Sequence, residues 1–154
     1  MKLDAEIQIA QRLADAARAA ILPHFRSGLG SERKADATPV TLADRAAEEA
    51  MRRILDAEVP QDSVHGEELG TRAGRSNRTW VLDPIDGTAG FLAGRPLFGT
   101  LIALVIEGWP VLGIIDQPVL GERWLGVTGR ATTDRKSTRL NSSHIQKSRM
   151  PSSA

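Results

Sequence analysis

Trp80-Val81-Leu82-Asp83-Pro84-Ile85-Asp86-Gly87-Thr88 is the stretch on which the reading of this chain turns. An apolar run of strand formers ends in two carboxylates three positions apart, with a proline between them and a glycine and a threonine just after. The pattern predicts a strand that delivers acids to a turn. Pro84 removes a backbone donor and fixes its own φ, and Gly87 lets the backbone come close to a ligand. Paired carboxylates on such an edge suit a hard cation such as Mg²⁺, which takes oxygen ligands and leaves positions for water and phosphate oxygens.

Upstream, Ile7, Ala10, Leu13, Ala17, Ala20 and Ile21 recur at helical spacing and predict an amphipathic helix over Leu3 to about Phe25, kinked or ended at Pro23. Ser27 to Ser31 reads as a flexible break. His24, near the helix end, reads as a partly buried or capping side chain. A second helix is expected from about Leu42 to Glu58, with Thr41 as N-cap and Asp44 at the third helical position, where it can complete a capping box. Ala46, Ala50, Ile54 and Ala57 are its expected buried stripe, and its charges read as a solvated face. Ser63-Val64-His65 is a short strand candidate leading into Gly66-Glu67-Glu68, a second place where acids follow a strand end. Taken alone, those acids read as solvated loop residues and His65 as a packing residue. The polar run Leu69 to Arg78 reads as a surface connection.

Downstream, Ala89 to Leu92 suggests one helical turn, and backbone amides near Gly87 and Thr88 are placed to hold an anion. Thr100 to Ile106, Val111 to Gln117 and Arg123 to Val127 are three short strands with tight connections, which implies an antiparallel meander. Trp109 and Trp124 read as packing residues. From Asp134 onward the sequence is serine-rich and basic with no apolar period, and it is expected to be a disordered tail that is not native to the protein.

At 154 residues the chain suits one domain with a core and is too short for two ordinary ones. It has no cysteine, which excludes a disulfide framework, a thiolate metal site and a cysteine nucleophile. The longest apolar stretch, Leu101 to Ile106, is far short of a membrane span, and the N-terminus has no signal pattern, so the expectation is a cytoplasmic protein with no membrane partner. Residues 134–154 hold five Lys or Arg against one Asp, so of the formal charge of +1 the tail carries +4 and residues 1–133 carry −3. A mildly acidic folded part argues against nucleic acid as a partner.

The Thr41-to-Asp44 helix start, Gly66-Glu67-Glu68 and Asp83-Pro84-Ile85-Asp86-Gly87-Thr88, in this order, resemble the inositol monophosphatase-like family of magnesium-dependent phosphatases. The resemblance runs to about Thr133 and covers somewhat more than the first half of a family member. Ala89 to Leu104 and Gly113 to Trp124 are most similar to the histidinol-phosphatase branch. This resemblance implies an α+β fold, the N-terminal part of a layered αβαβα architecture, with two long helices on a largely antiparallel sheet over residues 1–133. It implies Mg²⁺ held by Glu67, Asp83 and the carbonyl of Ile85, with Asp83 and Asp86 contributing to a second ion. Thr88 and Asp44 would orient and deprotonate the attacking water, with Glu67 also in the catalytic group. Asp86 and the amides of Gly87 and Thr88 would bind the substrate phosphate. The implied reaction is hydrolysis of a small phosphate monoester by water activated at the metal: L-histidinol phosphate, as in histidine biosynthesis, or alternatively inositol 1-phosphate. A chain without the family's C-terminal half, which supplies another metal-ligating aspartate, would be a weakly active or catalytically incompetent fragment. Family members are commonly dimers, so a homodimer is the implied assembly.

Overall fold

A computed structural model describes residues 2–27 and 39–134. Of the expected break at Ser27 to Ser31 all but Ser27 lies outside the described residues, as does the expected tail except Asp134, which pairs with Trp124 in a strand and so corrects the expectation of disorder at that residue. Helix α1, Asp4–Ile21, buries Ile9, Ala10, Leu13, Ala14, Ala17 and Ile21. A 3-10 turn, Leu22–His24, then ends it at Pro23, as the sequence suggests. Helix α2 runs from Pro39 to Glu58. Seven strands among the described residues form one sheet: β1 Ser63–Gly66, β2 Gly70–Arg72, β3 Arg78–Asp86, β4 Gly99–Ile106, β5 Trp109–Gln117, β6 Glu122–Val127 and β7 Thr133–Asp134. The spatial order is β2-β1-β3-β4-β5-β6-β7, and the β1–β3 pair alone is parallel. A short helix α3, Thr88–Leu92, follows β3. The α+β class, with two long helices on a largely antiparallel sheet, is the architecture expected.

Both long helices cover one face of the sheet, α1 over β4 and β5 and α2 over β3. Their inner faces meet Trp80, Leu82, Ile102, Leu104 and Ile114 in a continuous core. Full burial of each Leu, Ile or Met contributes about 1.5–3 kcal/mol. The opposite face is bare among the described residues: Val81, Leu101, Ala103, Ile115 and Trp124 line an open groove of about 660 Å³ that also reaches Asp83. No helix among the described residues is long and apolar enough to cross a membrane.

Several expectations are corrected. Helix α2 begins at Pro39, so Thr41 lies inside the helix and is not the N-cap. Asp44 therefore sits more than a turn in, too far to close a capping box. Proline at the first helical position, where its missing N–H costs nothing, is the start signal that prevails. The buried stripe of α2 is Ala43, Ala47, Met51 and Leu55, one position out of phase with the expected Ala46, Ala50, Ile54 and Ala57. Both rows keep helical spacing, and the observed phase takes Asp44 and Glu48 out of water, so the charges of α2 are not all a solvated face. A three-residue strand, β2, lies within the run read as a surface connection, too short to show an alternating pattern. His65 faces outward by strand alternation and bonds Thr71 Oγ1 through Nδ1 at 2.7 Å across the β1–β2 pair. Trp109 is 77% exposed, at the hairpin tip beside the Glu107-Gly108 turn, where no described element covers it.

Buried charge ties α1 to the sheet. Asp116 on β5 is fully buried and accepts from Arg18 of α1 at 2.5 and 3.1 Å and from Arg123 of β6 at 2.6 Å. Arg123, itself 2% exposed, also donates to Asp15 at 2.8 Å and to the Gln11 side chain at 2.7 Å. Removing one member leaves its partners charged and dry. Asp116→Ala is expected to destabilise the chain by about 3–5 kcal/mol in urea unfolding; a change under about 1 kcal/mol would mean the network carries no stability.

Candidate active site

The acids reach one place because β3 is irregular. Strand side chains alternate, so residues three apart, such as Asp83 and Asp86, belong on opposite faces of a regular strand. In β3 the register against β4 runs Asp83 to Leu101 and then Asp86 to Gly99, three steps on one strand against two on the other. That extra residue is a β-bulge, and it reverses the phase of the strand end. Trp80 and Leu82 point at the helices, Asp83 points away, Pro84 and Ile85 are both buried, and Asp86 is exposed. Asp83 and Asp86 thus return to the same side. The acids lie in the strand end and not on a turn beyond it, a correction to the expected geometry. Pro84 is tolerated inside a strand because it falls at the bulge. Its carbonyl accepts from the buried Thr100 hydroxyl at 2.8 Å.

Gly87 turns the chain out of β3 at φ 93° and serves as N-cap of α3. A side chain there would meet the Leu97 carbonyl at 2.9 Å, so the position requires glycine on both counts. The Thr88 and Ala89 amides at the start of α3 have no acceptor within the helix by its geometry, whereas those of Gly90 and Phe91 donate to the Gly87 carbonyl. Thr88 is exposed, and its hydroxyl donates to the Ile85 carbonyl at 3.4 Å. The described hydrogen bonds join Thr88 to Ile85 and not to Asp44.

Asp44 reaches the cluster from α2, and Glu67 and Glu68 from the turn after β1. Burial first, then the charges of Glu68, Glu67, Asp83 and Glu48, push the Asp44 carboxyl up from 3.8 to about 7. Burial also leads for Asp83, followed by a hydrogen bond and charge from Glu67 and the charge of Asp86, against a lowering from the Ile85 backbone; the result is again about 7. Asp83 Oδ1 is buried and has no hydrogen-bond partner. Such an oxygen lacks a positive counterpart.

The structure therefore brings together Asp44, Glu67, Asp83 and Asp86, with the Ile85 carbonyl and Gly87 and Thr88 on the adjoining chain. Among the described residues no three His, Asp or Glu side chains converge into a closed metal-ligand set. The donors nonetheless fit a hard cation: all are oxygens, they are mutually repulsive, and one is buried without a donor. Sequence reading missed Glu48, which is fully buried and adds to the same field. Its spacing of four from Asp44 was the available signal.

The inositol monophosphatase family model matches residues 2–154. A histidinol-phosphatase of Streptomyces coelicolor is 48% identical over 139 residues, covering 83% of this chain and 52% of that protein. The chloroplastic bifunctional phosphatase IMPL2 of Arabidopsis thaliana is 47% identical over 133 residues, 85% of this chain and 38% of that protein. Among solved structures, an inositol monophosphatase from Zymomonas mobilis superposes with a TM-score of 0.77 at 51% identity, covering 88% of this chain and 52% of that one. The chain thus spans about half the length of the Streptomyces coelicolor and Zymomonas mobilis proteins and less of IMPL2. With the family model matched over nearly the whole chain and the fold shared with these structures, the chain belongs to the inositol monophosphatase family.

Proposed function

We propose that this chain carries the cation-binding half-site of a phosphatase that hydrolyses a small phosphate monoester, L-histidinol phosphate in the first instance, in the cytoplasm. The observation that carries the reading is the convergence of Asp44, Glu67 and Asp83 on a buried Asp83 oxygen without a partner, with the carboxyls of Asp44 and Asp83 both pushed up to about 7. Glu67, Asp83 and the Ile85 carbonyl would hold one Mg²⁺, and Asp83 with Asp86 would contribute to a second. When bound, such ions make water more acidic and neutralise charge on the phosphate and leaving oxygens. The chain's own residues do the rest. Asp44 and Thr88 orient the attacking water and take up its proton. Asp86 and the amides of Gly87 and Thr88 hold the phosphate for in-line displacement. The ester P–O bond breaks, and the alcohol leaves with a proton. The histidinol-phosphatase name of the Streptomyces coelicolor relative favours L-histidinol phosphate; the Zymomonas mobilis structure keeps inositol 1-phosphate as the alternative.

A second reading is cation binding without turnover. It needs only the buried Asp83 oxygen without a donor and its acidic neighbours.

Phosphate release from the two esters, with and without Mg²⁺, separates these readings. Hydrolysis is expected to need Mg²⁺, to vanish in Asp83→Asn, and to fall about 10²–10⁴-fold in kcat for Asp44→Asn. Unchanged activity in Asp83→Asn would refute the metal role, and cation binding with no release from either ester would favour the second reading.

Stability should also depend on pH when metal is removed. Asp44 and Asp83 titrate near 7 in the folded chain against 3.8 ordinarily, so only the folded form keeps these protons in the interval between. Their contribution is full below 3.8 and is lost as pH rises through about 7. In chelator, the Tm is expected to fall between about pH 5 and about pH 8, and less so in Asp83→Asn. A wild-type Tm that rises over this range in parallel with the variant's would contradict the cluster's electrostatics.

A further inference from the structure

The Glu67 turn is held by a side chain of α2. Glu48 lies on α2 one helical turn after Asp44, and its side chain is fully buried. Its Oε2 accepts the backbone amide of Glu68 at 2.8 Å, and its Oε1 accepts the amide of Leu69 at 3.2 Å. Arg52, the next residue along the same helix face, donates to Glu48 Oε1 at 2.8 Å and also to the carbonyl of Gly70. One carboxylate and one guanidinium thus bind three consecutive residues just beyond Glu67. The fit is close enough to exclude a side chain at residue 66, since a Cβ on Gly66 would lie 1.9 Å from Glu48 Oε1. On its other side the turn is tied to β3 through the Glu67 amide and the Leu82 carbonyl at 3.2 Å.

We propose that Glu48 is a positioning residue that anchors the Gly66–Leu69 turn and so fixes where Glu67 stands relative to Asp83. It does not touch the reacting atoms. It holds the main chain from which Glu67 projects, and it does so from the helix that also supplies Asp44. One rigid element therefore sets both groups. The chemical consequence rests on Glu67 acting as a cation ligand, the reading given above. A carboxylate is suited to the task because it accepts two neighbouring amides and an arginine together, whereas an amide side chain has one acceptor oxygen. Gly66 is explained by the same contact: its missing side chain is the space that Glu48 fills.

Glu48→Gln keeps the shape and removes one acceptor. With both proteins fully folded by circular dichroism, amide hydrogen exchange at Glu68 and Leu69 is expected to rise about 10-fold or more while Leu13 and Ala17 in α1 stay unchanged. Calorimetric titration with Mn²⁺ is expected to show affinity weakened about 10–100-fold. Gly66→Ala, which pushes on the same carboxylate from the turn side, should reproduce both effects and serves if Glu48→Gln does not fold. In a chain already carrying Glu48→Ala it should add little. Unchanged exchange at Glu68 and Leu69 overturns the proposal, and so does raised exchange with unaltered Mn²⁺ affinity. Wild-type protein that binds no Mn²⁺, yet shows the local exchange response, would refute the cation reading and leave the anchor supported.

Discussion

A strand cannot show one face with residues three apart unless its period is broken, and this site depends on that break. The single extra residue between Asp83 and Asp86 turns two carboxylates that would straddle the sheet into neighbours on one side. The same step sends Ile85 into the core, where it is 2% exposed, and leaves its carbonyl within reach of Thr88. Bulge, proline and glycine therefore form one device. Pro84 gives up no ladder bond there, Gly87 bends the chain at once into α3, and the buried Thr100 hydroxyl satisfies the carbonyl that the bulge would otherwise strand.

Buried carboxylates need partners, and the two best-buried regions of the acid cluster solve this differently. Glu48 receives two amides and an arginine, so its charge is answered within the chain. Asp83 has an oxygen with no donor, next to Glu67 and Asp86. The first arrangement is complete without a ligand, and the second is complete only with a proton or a cation. This contrast, between groups of the same chemical type a few residues from one another in space, separates the anchor from the chemistry.

Much of this was legible in the residues. The Asp83-to-Thr88 wording, the meander and α1 follow from alternation, turn residues and helical spacing, which are local signals. The phase of α2 was not legible, because Ala43, Ala47, Met51 and Leu55 and the neighbouring Ala46, Ala50, Ile54 and Ala57 are both apolar rows at helical spacing, and the observed one buries Asp44 and Glu48. The observed phase depends on amides of Glu68 and Leu69, twenty or so residues away in sequence, and no local pattern reports them. The bulge was hidden for a related reason: Pro84 and Gly87 read equally well as a turn, and only the pairing with β4 shows that the strand continues. Likewise Asp116 and Arg123 look like ordinary polar strand residues until α1 is laid across them.

Both helices present alanine-rich faces to the sheet, Ala10, Ala14 and Ala17 on α1 and Ala43 and Ala47 on α2. Small side chains allow close approach but give shallow relief, so they do little to stop a helix sliding along its axis. A buried charge is different, because it must meet its donors or bear the full desolvation penalty. Each helix carries one such key: Arg18 to Asp116 for α1, and Glu48 to the Glu68 and Leu69 amides for α2. A slip of one residue would break either set. The position of Asp44 against Asp83, separated in sequence and carried on different elements, is thus defined by directional contacts several residues away, while the apolar core beneath supplies cohesion without choosing the register.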